Sequence, residues 1–359
     1  MRYVVTIQHP GHVHFFRPVV ERLEAAGHEV HVFCKDLEVV CELLEEYGME
    51  YEALAGDRGS LLNLAVTQLT YEARLLRRAL EIRPDVMTAI GGTAVAHVAS
   101  LVGARSVVFT DTEHAPGNRV TFPFADEVWT PECYHGDVPD EHVTYPGYHE
   151  LAYLHPDRFE PDPSVVEEAG LDPEDRFVVL RLTAWDASHD VGQGGFEDMR
   201  DAIERLEATG AEVLVTSEVD LPEGLEDRRA SVEPHRMHHL LAAADLFVGE
   251  GATMAVESAV LGTPAVYVNT LRMGYTDEVE ARYGLLYNCQ GSVRHQRALE
   301  AAERILDGRE GGDWEARRQR LLADTCDTTA VVHAALLGED PPTADGPTGA
   351  APTSVGADD

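Results

Sequence analysis

The chain has 359 residues, which is enough for two domains that each bury a core, and its 64 acidic and 28 basic residues give a formal charge of −36. This charge excludes a protein that binds nucleic acid through a basic face. Lys35 is the only lysine, and dense carboxylates with almost no lysine indicate a protein kept soluble in concentrated salt. An acidic protein of an ordinary cytoplasm is the alternative.

The cysteine pattern and the N-terminal stretch indicate a cytoplasmic location. The five cysteines are scattered and form no C-x-x-C pair, as in proteins with reduced thiols. The N-terminus becomes polar too early for a signal peptide, and no stretch is long and apolar enough to span a bilayer. We expect a cytoplasmic protein with no cofactor.

Strand-like and helix-like segments alternate along the first part of the chain. The sequence predicts strands in YVVTIQ and EVHVFCK, a helix in HFFRPVVERLEAAG that ends at Gly27, and strand-and-loop units in PDVMTAIGGT, ARSVVFTDT and ADEVWTP. Such alternation is typical of parallel strands joined by crossover helices.

The pattern weakens over residues 145–163, which are rich in proline and aromatic residues, and then restarts with RFVVLRLTAW. We therefore predict an α/β protein with two Rossmann-like doubly wound domains that face a cleft. The first domain covers residues 1–150 and the second covers residues 151–337. Residues 338–359 are predicted to be a disordered acidic tail.

The residues that carry chemistry follow the predicted strands. They lie in the loops QHPGHVH, IGGT, TDTEHAPGN, LTAWDASHDVGQGG and GEGAT. In doubly wound sheets, ligands bind at the carboxyl ends of the strands, where the strand order switches. The sequence therefore predicts an active site between the two domains.

The stretch FVGEGATMAVESAVLGTPAVYVN, residues 247–269, reads as a strand, a glycine loop, a helix and a second strand. Gly251, Ala252 and Thr253 begin the helix, where free N–H groups favour a diphosphate, and Thr253 is expected to cap it. Glu257 lies one turn further along the same face and suits two ribose hydroxyls. A structural turn beside a solvated glutamate is the alternative.

This stretch, with the preceding HHLLAAADL, resembles the nucleotide-sugar motif of GT-B-fold enzymes. It is similar to the transferase that adds N-acetylglucosamine to lipid-linked muramyl pentapeptide, and to the UDP-N-acetylglucosamine 2-epimerases. To about residue 337, the chain resembles the uncharacterised, largely archaeal family called domain of unknown function 354. The resemblance implies that Glu257 holds the donor ribose and that residues 251–253 meet the diphosphate. Glu250 departs from the transferase loop and is expected to bind the donor sugar or to lie behind the loop.

Three residues of the first domain are the candidates for catalysis. His12 is expected just before the first helix, where it removes the proton of an acceptor hydroxyl or supports the loop. Asp111 and Glu113 follow an apolar strand, and close carboxylates tend to have separated pKa values. A solvated turn is the alternative for the second loop. Zinc ligation is disfavoured for the histidines because no cysteine or carboxylate stands at a familiar spacing, and we expect no metal.

Two further residues of the second domain are expected to contact the donor. Arg181 ends a strand and suits the diphosphate leaving group through its planar guanidinium, although an ion pair with an acid is nearly as good an interpretation. His235 begins the helix before the glycine loop and is expected to approach the base or the phosphate.

Residues 60–83 form a basic amphipathic segment in an otherwise acidic chain. Such a helix can lie on anionic lipid, in which case the acceptor is lipid-linked. A core helix with a solvated arginine face is the alternative.

These patterns favour a metal-independent GT-B glycosyltransferase that uses a nucleotide sugar, with UDP as the expected nucleotide. A nucleotide-sugar 2-epimerase and a non-catalytic nucleotide-sugar-binding protein are the alternatives.

The charge predicts a response of stability to salt. Because salt screens carboxylate repulsion, the melting temperature should rise between low salt and about 2 M KCl. A melting curve that is unchanged or shifts downward over this range would contradict salt adaptation.

Overall fold

The computed structural model of the protein describes residues 1–56, 61–140, 142–182, 199–217, 221 and 224–342. It contains two separate parallel sheets with helices packed against them, which confirms the predicted α/β architecture. Residues 183–195 of one predicted loop and residues 343–359 of the predicted tail lie outside the described residues.

The first sheet has seven strands, namely β1 (Arg2–Ile7), β2 (Glu29–Asp36), β3 (Tyr51–Gly56), β4 (Val86–Ile90), β5 (Arg105–Phe109), β6 (Glu127–Pro131) and β7 (His142–Tyr145). Their order is β3-β2-β1-β4-β5-β6-β7, and all the described pairings are parallel. The order reverses between β1 and β4, where a doubly wound sheet binds its ligand.

The helices of the first half are α1 (Pro10–Ala25), α2 (Glu38–Glu46), α3 (Leu61–Ile82), α4 (Thr93–Val102) and α5 (Asn118–Thr121). They cover both faces of the sheet because successive strand side chains point to opposite sides. In β1, Tyr3, Val5 and Ile7 belong to the same core as α1 and α2, whereas Val4 belongs to the core of α3 and α4.

Helix α1 begins earlier than the sequence predicts. Pro10 is the first helical residue, and its ring fixes the φ angle near the value of a helix. The side chain of His9 caps the helix by accepting a hydrogen bond from Gly11 N at 3.1 Å. His12 is therefore the third residue of the helix, and its predicted position just before the helix is wrong.

The second half begins after two short helices, α6 (Leu151–Leu154) and α7 (Val165–Glu168). Its strands are β8 (Phe177–Leu182), β9 (Glu212–Ser217), β10 (Leu246–Gly249), β11 (Ala265–Val268) and β12 (Leu286–Cys289). Their order is β12-β11-β10-β8-β9, again with parallel pairings throughout the described strands. Here the order reverses between β8 and β10.

The remaining helices pack around this sheet and return to the first half. They are α8 (Met199–Glu207), α9 (Met237–Ala243), α10 (Ala252–Leu261), α11 (Gly274–Glu278), α12 (Arg294–Leu306), α13 (Trp314–Asp324) and α14 (Thr328–Leu337). The last of them, α14, packs against α1 and α6. The described residues include no helix that is both long and apolar enough to cross a membrane.

The chain crosses between the two halves twice, and the crossings are bonded to each other. Cys326 N donates to Pro146 O at 2.8 Å, and the hydroxyl of Thr328 donates to Tyr148 O at 2.7 Å. Residues 145–154 are almost entirely buried rather than forming an exposed connection. One continuous apolar core therefore runs from α1 through α6 to α10.

The two halves also touch directly at Gly274. Its N–H donates to Oε1 of Glu113 at 2.9 Å. A Cβ atom at this position would lie 1.8 Å from the carbonyl oxygen of Cys133 and 2.7 Å from Oε1 of Glu113. Only glycine permits this approach of α11 to the first half.

We expect Gly274→Ala to destabilise the closed arrangement, because the new methyl group must displace the backbone at Cys133. Overpacking of this kind costs about 1–3 kcal/mol in the free energy of unfolding, measured by denaturant titration. Gly251→Ala is the matched control, because no atom of the described residues lies within 4 Å of a Cβ placed there. Equal stability of the two variants would contradict the contact.

Candidate active site

In each sheet, the point of strand reversal lies beside one of the predicted loops. His9 and His12 follow β1 in the first sheet, whereas Gly249 ends β10 in the second and Glu250 and Gly251 follow it. The predicted position of the site at the carboxyl ends of the strands therefore agrees with the topology of both sheets.

Helix α10 presents unpaired backbone N–H groups at its start. Its first internal hydrogen bond runs from Ala255 N to Gly251 O at 3.2 Å, and no side chain of the described residues caps it. The N–H groups of residues 252–254 thus have no partner within the helix, which favours an anion. The predicted cap at Thr253 is wrong, because the helix begins one residue earlier and Gly251 takes the capping position.

The glycine loop lies beside Arg181. Gly249 pairs with Arg181 across β10 and β8, and a Cβ on Gly249 would lie 2.7 Å from Cβ of Arg181. Asn269 fixes the loop from the next strand, since its Nδ2 donates to Glu250 O at 3.0 Å. The structure therefore brings Arg181 and Glu250 to the same edge of the sheet as the start of α10.

Glu257 is buried, with 5% of its surface exposed, and it connects two parts of the protein. The hydroxyl of Tyr153 donates to Oε1 at 2.7 Å, and Nε2 of His238 donates to the same oxygen at 2.9 Å. Burial opposes ionisation, but His238 and the Tyr153 hydrogen bond outweigh it and keep the pKa of Glu257 below its ordinary value. Because Oε1 is already occupied, a ribose at this residue would have to use Oε2.

Asp111 and His149 form a buried pair in the first half. Nδ1 of His149 lies 3.0 Å from Oδ2 of Asp111, and the hydroxyl of Thr112 donates to Oδ1 at 3.0 Å. Burial opposes ionisation of Asp111, but the adjacent imidazole and the hydroxyl lower its pKa. Nε2 of His149 is buried and has no hydrogen-bond partner among the described residues.

His149 therefore has the arrangement of an oriented base. A carboxylate beside Nδ1 holds a proton on that nitrogen, which leaves Nε2 with its lone pair. An unpaired buried polar atom is costly, and such atoms are found where a substrate or a water completes the bonding.

His12 has the opposite arrangement of its ring nitrogens. Gln8 N donates to Nδ1 at 3.4 Å, so the proton of the neutral ring is expected on Nε2. Burial, together with His9 and His149, lowers the pKa of His12 to about 3. At neutral pH, His12 is thus an uncharged hydrogen-bond donor.

Glu113 of the first half forms a hydrogen bond with the second half. Besides Gly274 N, its Oε1 accepts from His135 N at 3.4 Å, while Oε2 is buried with no partner among the described residues. Nearby, His114 Nε2 lies 2.9 Å from the carbonyl oxygen of Arg272 in the second half. The loop that carries Glu113 is therefore attached to both halves.

Glu150 is a third carboxyl group in this region, with 2% of its surface exposed. Burial first, and then the charges of Asp111 and Glu257, raise its pKa well above the ordinary value. At neutral pH we therefore expect Glu150 to be an uncharged carboxylic acid. The two ionised carboxylates that act on it are Asp111 of the first half and Glu257 of the second half.

His235 lies at the border of the two halves, in a short 3-10 helix, Pro234–Arg236, that precedes α9. Its Nε2 is 3.8 Å from Oε1 of Glu46 in α2. The structure thus brings His235 against α2 of the first half. Because α9 begins two residues later, at Met237, the prediction that His235 begins this helix is wrong.

A pocket of about 750 Å³ opens beside Glu113. It lies in the first half, between the loop that begins α5 and the segment after β6. Its lining combines charged, aromatic and apolar groups: Arg119, Phe122, Pro123, Tyr134, Val138 and Pro139.

The family of proteins of unknown function DUF354 matches residues 2–289, which is most of the chain. The chain belongs to this family. A relative in Methanocaldococcus jannaschii, an uncharacterised protein, is 21% identical to this DUF354 chain over 275 residues, which are 73% of the chain and 80% of the relative.

Solved structures show which fold this DUF354 chain has. One is a protein described as a UDP-N-acetylglucosamine 2-epimerase from Listeria monocytogenes, with a TM-score of 0.68, 13% identity, and coverage of 95% of this chain and 98% of the other. Another is the Streptomyces glycosyltransferase SsfS6, with a TM-score of 0.56, 16% identity, and coverage of 95% and 97%. Identities this low establish the GT-B fold alone.

Sequence reasoning missed His149, Glu150 and Tyr153 in this DUF354 chain. They lie in the segment that the sequence indicates as a connection between domains. One signal was available: two ionisable residues, HE, directly precede the apolar run LAYL. Such residues beside a buried segment are themselves drawn into the interior.

His14 makes the stability of the closed cleft depend on pH. It is buried against His238, with ring centroids 4.6 Å apart, and against Tyr153 at 5.3 Å. Burial, reinforced by His238, lowers its pKa well below the ordinary value. The folded protein thus keeps His14 neutral where the unfolded chain protonates it.

We expect stability to fall as the pH falls below about 6.5, with a contribution from His14 of up to about 1.4 kcal/mol per pH unit. His14→Phe should remove this part of the slope when unfolding is measured at fixed high salt. His135→Gln, at an exposed histidine, is the control. An unchanged slope in His14→Phe would contradict the assignment.

Proposed function

We propose that this protein transfers a sugar from a nucleotide-sugar donor, with UDP as the nucleotide, to a hydroxyl group of an acceptor. One observation carries the proposal. Tyr153 donates a hydrogen bond to Glu257 of α10 at 2.7 Å, and it lies four residues after His149, whose buried Nε2 has no partner among the described residues. A group suited to proton removal therefore lies near a helix suited to a nucleotide diphosphate.

Three features of the second half support donor binding there. The unpaired N–H groups at the start of α10 and the helix dipole favour a diphosphate. Arg181 lies at the same edge of the sheet, where it can neutralise the leaving group. Glu257 remains our candidate for the ribose, through Oε2. The names of the two solved relatives, a UDP-sugar epimerase and a glycosyltransferase, are consistent with this chemistry.

We assign proton removal to His149 rather than to His12 or Glu113. The acceptor hydroxyl gives its proton to Nε2 of His149 as its oxygen bonds to the anomeric carbon of the donor sugar. The bond from that carbon to the diphosphate breaks, and the diphosphate leaves toward α10. Asp111 orients the imidazole and stabilises the positive charge that forms on it. His12, as a neutral donor, binds an oxygen of the substrate.

One observation favours epimerisation at C2 as a second candidate. Asp111, with a lowered pKa, and Glu150, with a raised pKa, place a base and an acid in the same region. Pairs of groups whose pKa values are driven apart serve proton transfer in both directions. An epimerase would use them to remove and return the proton at C2.

The test uses UDP-sugars without an acceptor, in deuterated buffer at high salt. A transferase should release UDP slowly by donor hydrolysis and leave C2 unlabelled. An epimerase should incorporate deuterium at C2 of the sugar, detected by NMR. His149→Gln should lower UDP release about 10²–10⁴-fold, because general base catalysis is lost, while the affinity for UDP should change little.

The His155–Asp157 pair, with 3.5 Å between Nδ1 and Oδ2, provides a matched control outside the cleft. His155→Gln should leave UDP release unchanged. Glu257→Gln should instead weaken UDP binding about 10- to 100-fold in calorimetric titration. Failure of UDP and UDP-sugars to bind the wild-type protein would overturn the proposed function, and deuterium at C2 would favour the epimerase.

A further inference from the structure

We propose that the outer face of α3, α4 and α5 docks on the surface of a phospholipid bilayer with anionic headgroups. This apolar face consists of six exposed side chains: Val66, Leu69, Leu80, Leu101, Val120 and Phe124. Each of them is at least 51% exposed, and Leu101 reaches 69%. Large exposed apolar patches on a protein surface mark interaction sites.

The three helices form one continuous surface, and His97 of α4 connects them. Its Nδ1 lies 3.5 Å from Oε2 of Glu72 in α3, and its Nε2 lies 3.0 Å from the carbonyl oxygen of Val120 in α5. Its ring contacts Phe124, with centroids 4.8 Å apart. Leu101 lies one helical turn from His97 on the same side of α4.

The charge of this region differs from that of the rest of the chain. Residues 61–124 contain six arginines and five carboxylates, which gives this region a formal charge of +1. The remaining residues carry a formal charge of −37, and the two parts sum to the −36 of the whole chain. Carboxylates such as Glu81, which pairs with Arg77 at 3.3 Å, are balanced here by arginines, unlike in the rest of the chain. Arg83 and Arg119 are exposed in this region, where they suit phosphate headgroups.

Charge complementarity favours a bilayer over a second copy of the chain. A second copy docked through the same face would set exposed arginines against each other, whereas exposed arginines beside apolar side chains match an interface of phosphates and acyl chains. Since no described helix can span a membrane, the contact is peripheral.

The apolar face adjoins the pocket of about 750 Å³. The segment from α5 through the 3-10 helix Phe122–Phe124 supplies Val120 and Phe124 to the face and Arg119 and Phe122 to the pocket. If the proposed function holds, the acceptor is an amphiphile held in the bilayer, and its polar end enters this pocket. The docking itself does not depend on the proposed function.

Vesicle flotation of the full chain tests the docking without any nucleotide sugar. We expect the wild type to float with phosphatidylglycerol vesicles and less with phosphatidylcholine vesicles at about 0.2 M KCl. At about 2 M KCl, where the Debye length is near 3 Å or less, this preference should fade and apolar binding should remain. The triple variant Leu69→Glu, Leu101→Glu and Phe124→Glu should bind at least about tenfold less.

The control variant carries Val39→Glu, Leu271→Glu and Val293→Glu, three exposed apolar positions elsewhere. It should float like the wild type. The melting temperature of each variant is measured alongside flotation, and both variants should stay folded under the flotation conditions because the changed side chains are largely at the surface. The proposal is overturned if the wild type floats with neither vesicle, or if both triple variants lose binding equally. A wild-type dimer that the face variant alone dissociates would also overturn it, since the face would then join two copies.

Discussion

A carboxylate that is almost fully buried must be paired, and in this protein that requirement determines how the two halves meet. Glu257 of α10 receives hydrogen bonds from Tyr153, which lies in the segment between the sheets, and from His238 of α9. Removing either partner would leave a charge uncompensated in the interior. The rings around it, including His14 of α1, are therefore held in one arrangement, and the start of α10 is held with them.

The same constraint orders the chemistry in the cleft. Because α6 is packed against α10, the two residues before it, His149 and Glu150, are carried into the interior beside Asp111. Their ionisation then follows from position: Asp111 is stabilised as an anion by the imidazole, whereas Glu150 faces two negative charges and stays neutral. Packing of a short helix thus produces the separation of pKa values that acid–base chemistry needs.

The sequence predicted well what depends on local pattern. The strand ends and the glycine loop before α10 follow from periodicity and from the few residues that a tight turn accepts. The starts of two helices differ from the prediction. Helix α1 begins at Pro10 and therefore includes His12, and the N-cap of α10 is Gly251 rather than Thr253. His149 could not be found this way, because its pairing with Asp111 arises only when residues distant in the chain are packed together.

The two crossings between the halves restrict how the halves can move relative to each other. They run side by side, and a hydroxyl of the returning chain, that of Thr329, also donates to Ala152 O at 2.6 Å. The chain connects the halves only along these two adjacent crossings in the described residues, so sliding of one half past the other would break these bonds. Gly274 touches the opposite half without a side chain, so separation there breaks the hydrogen bonds at Glu113 and His114 without withdrawing a Gly274 side chain from a pocket. A rotation about the paired crossings would therefore open the cleft at the contact between Gly274 and Cys133, whereas a sliding motion is opposed.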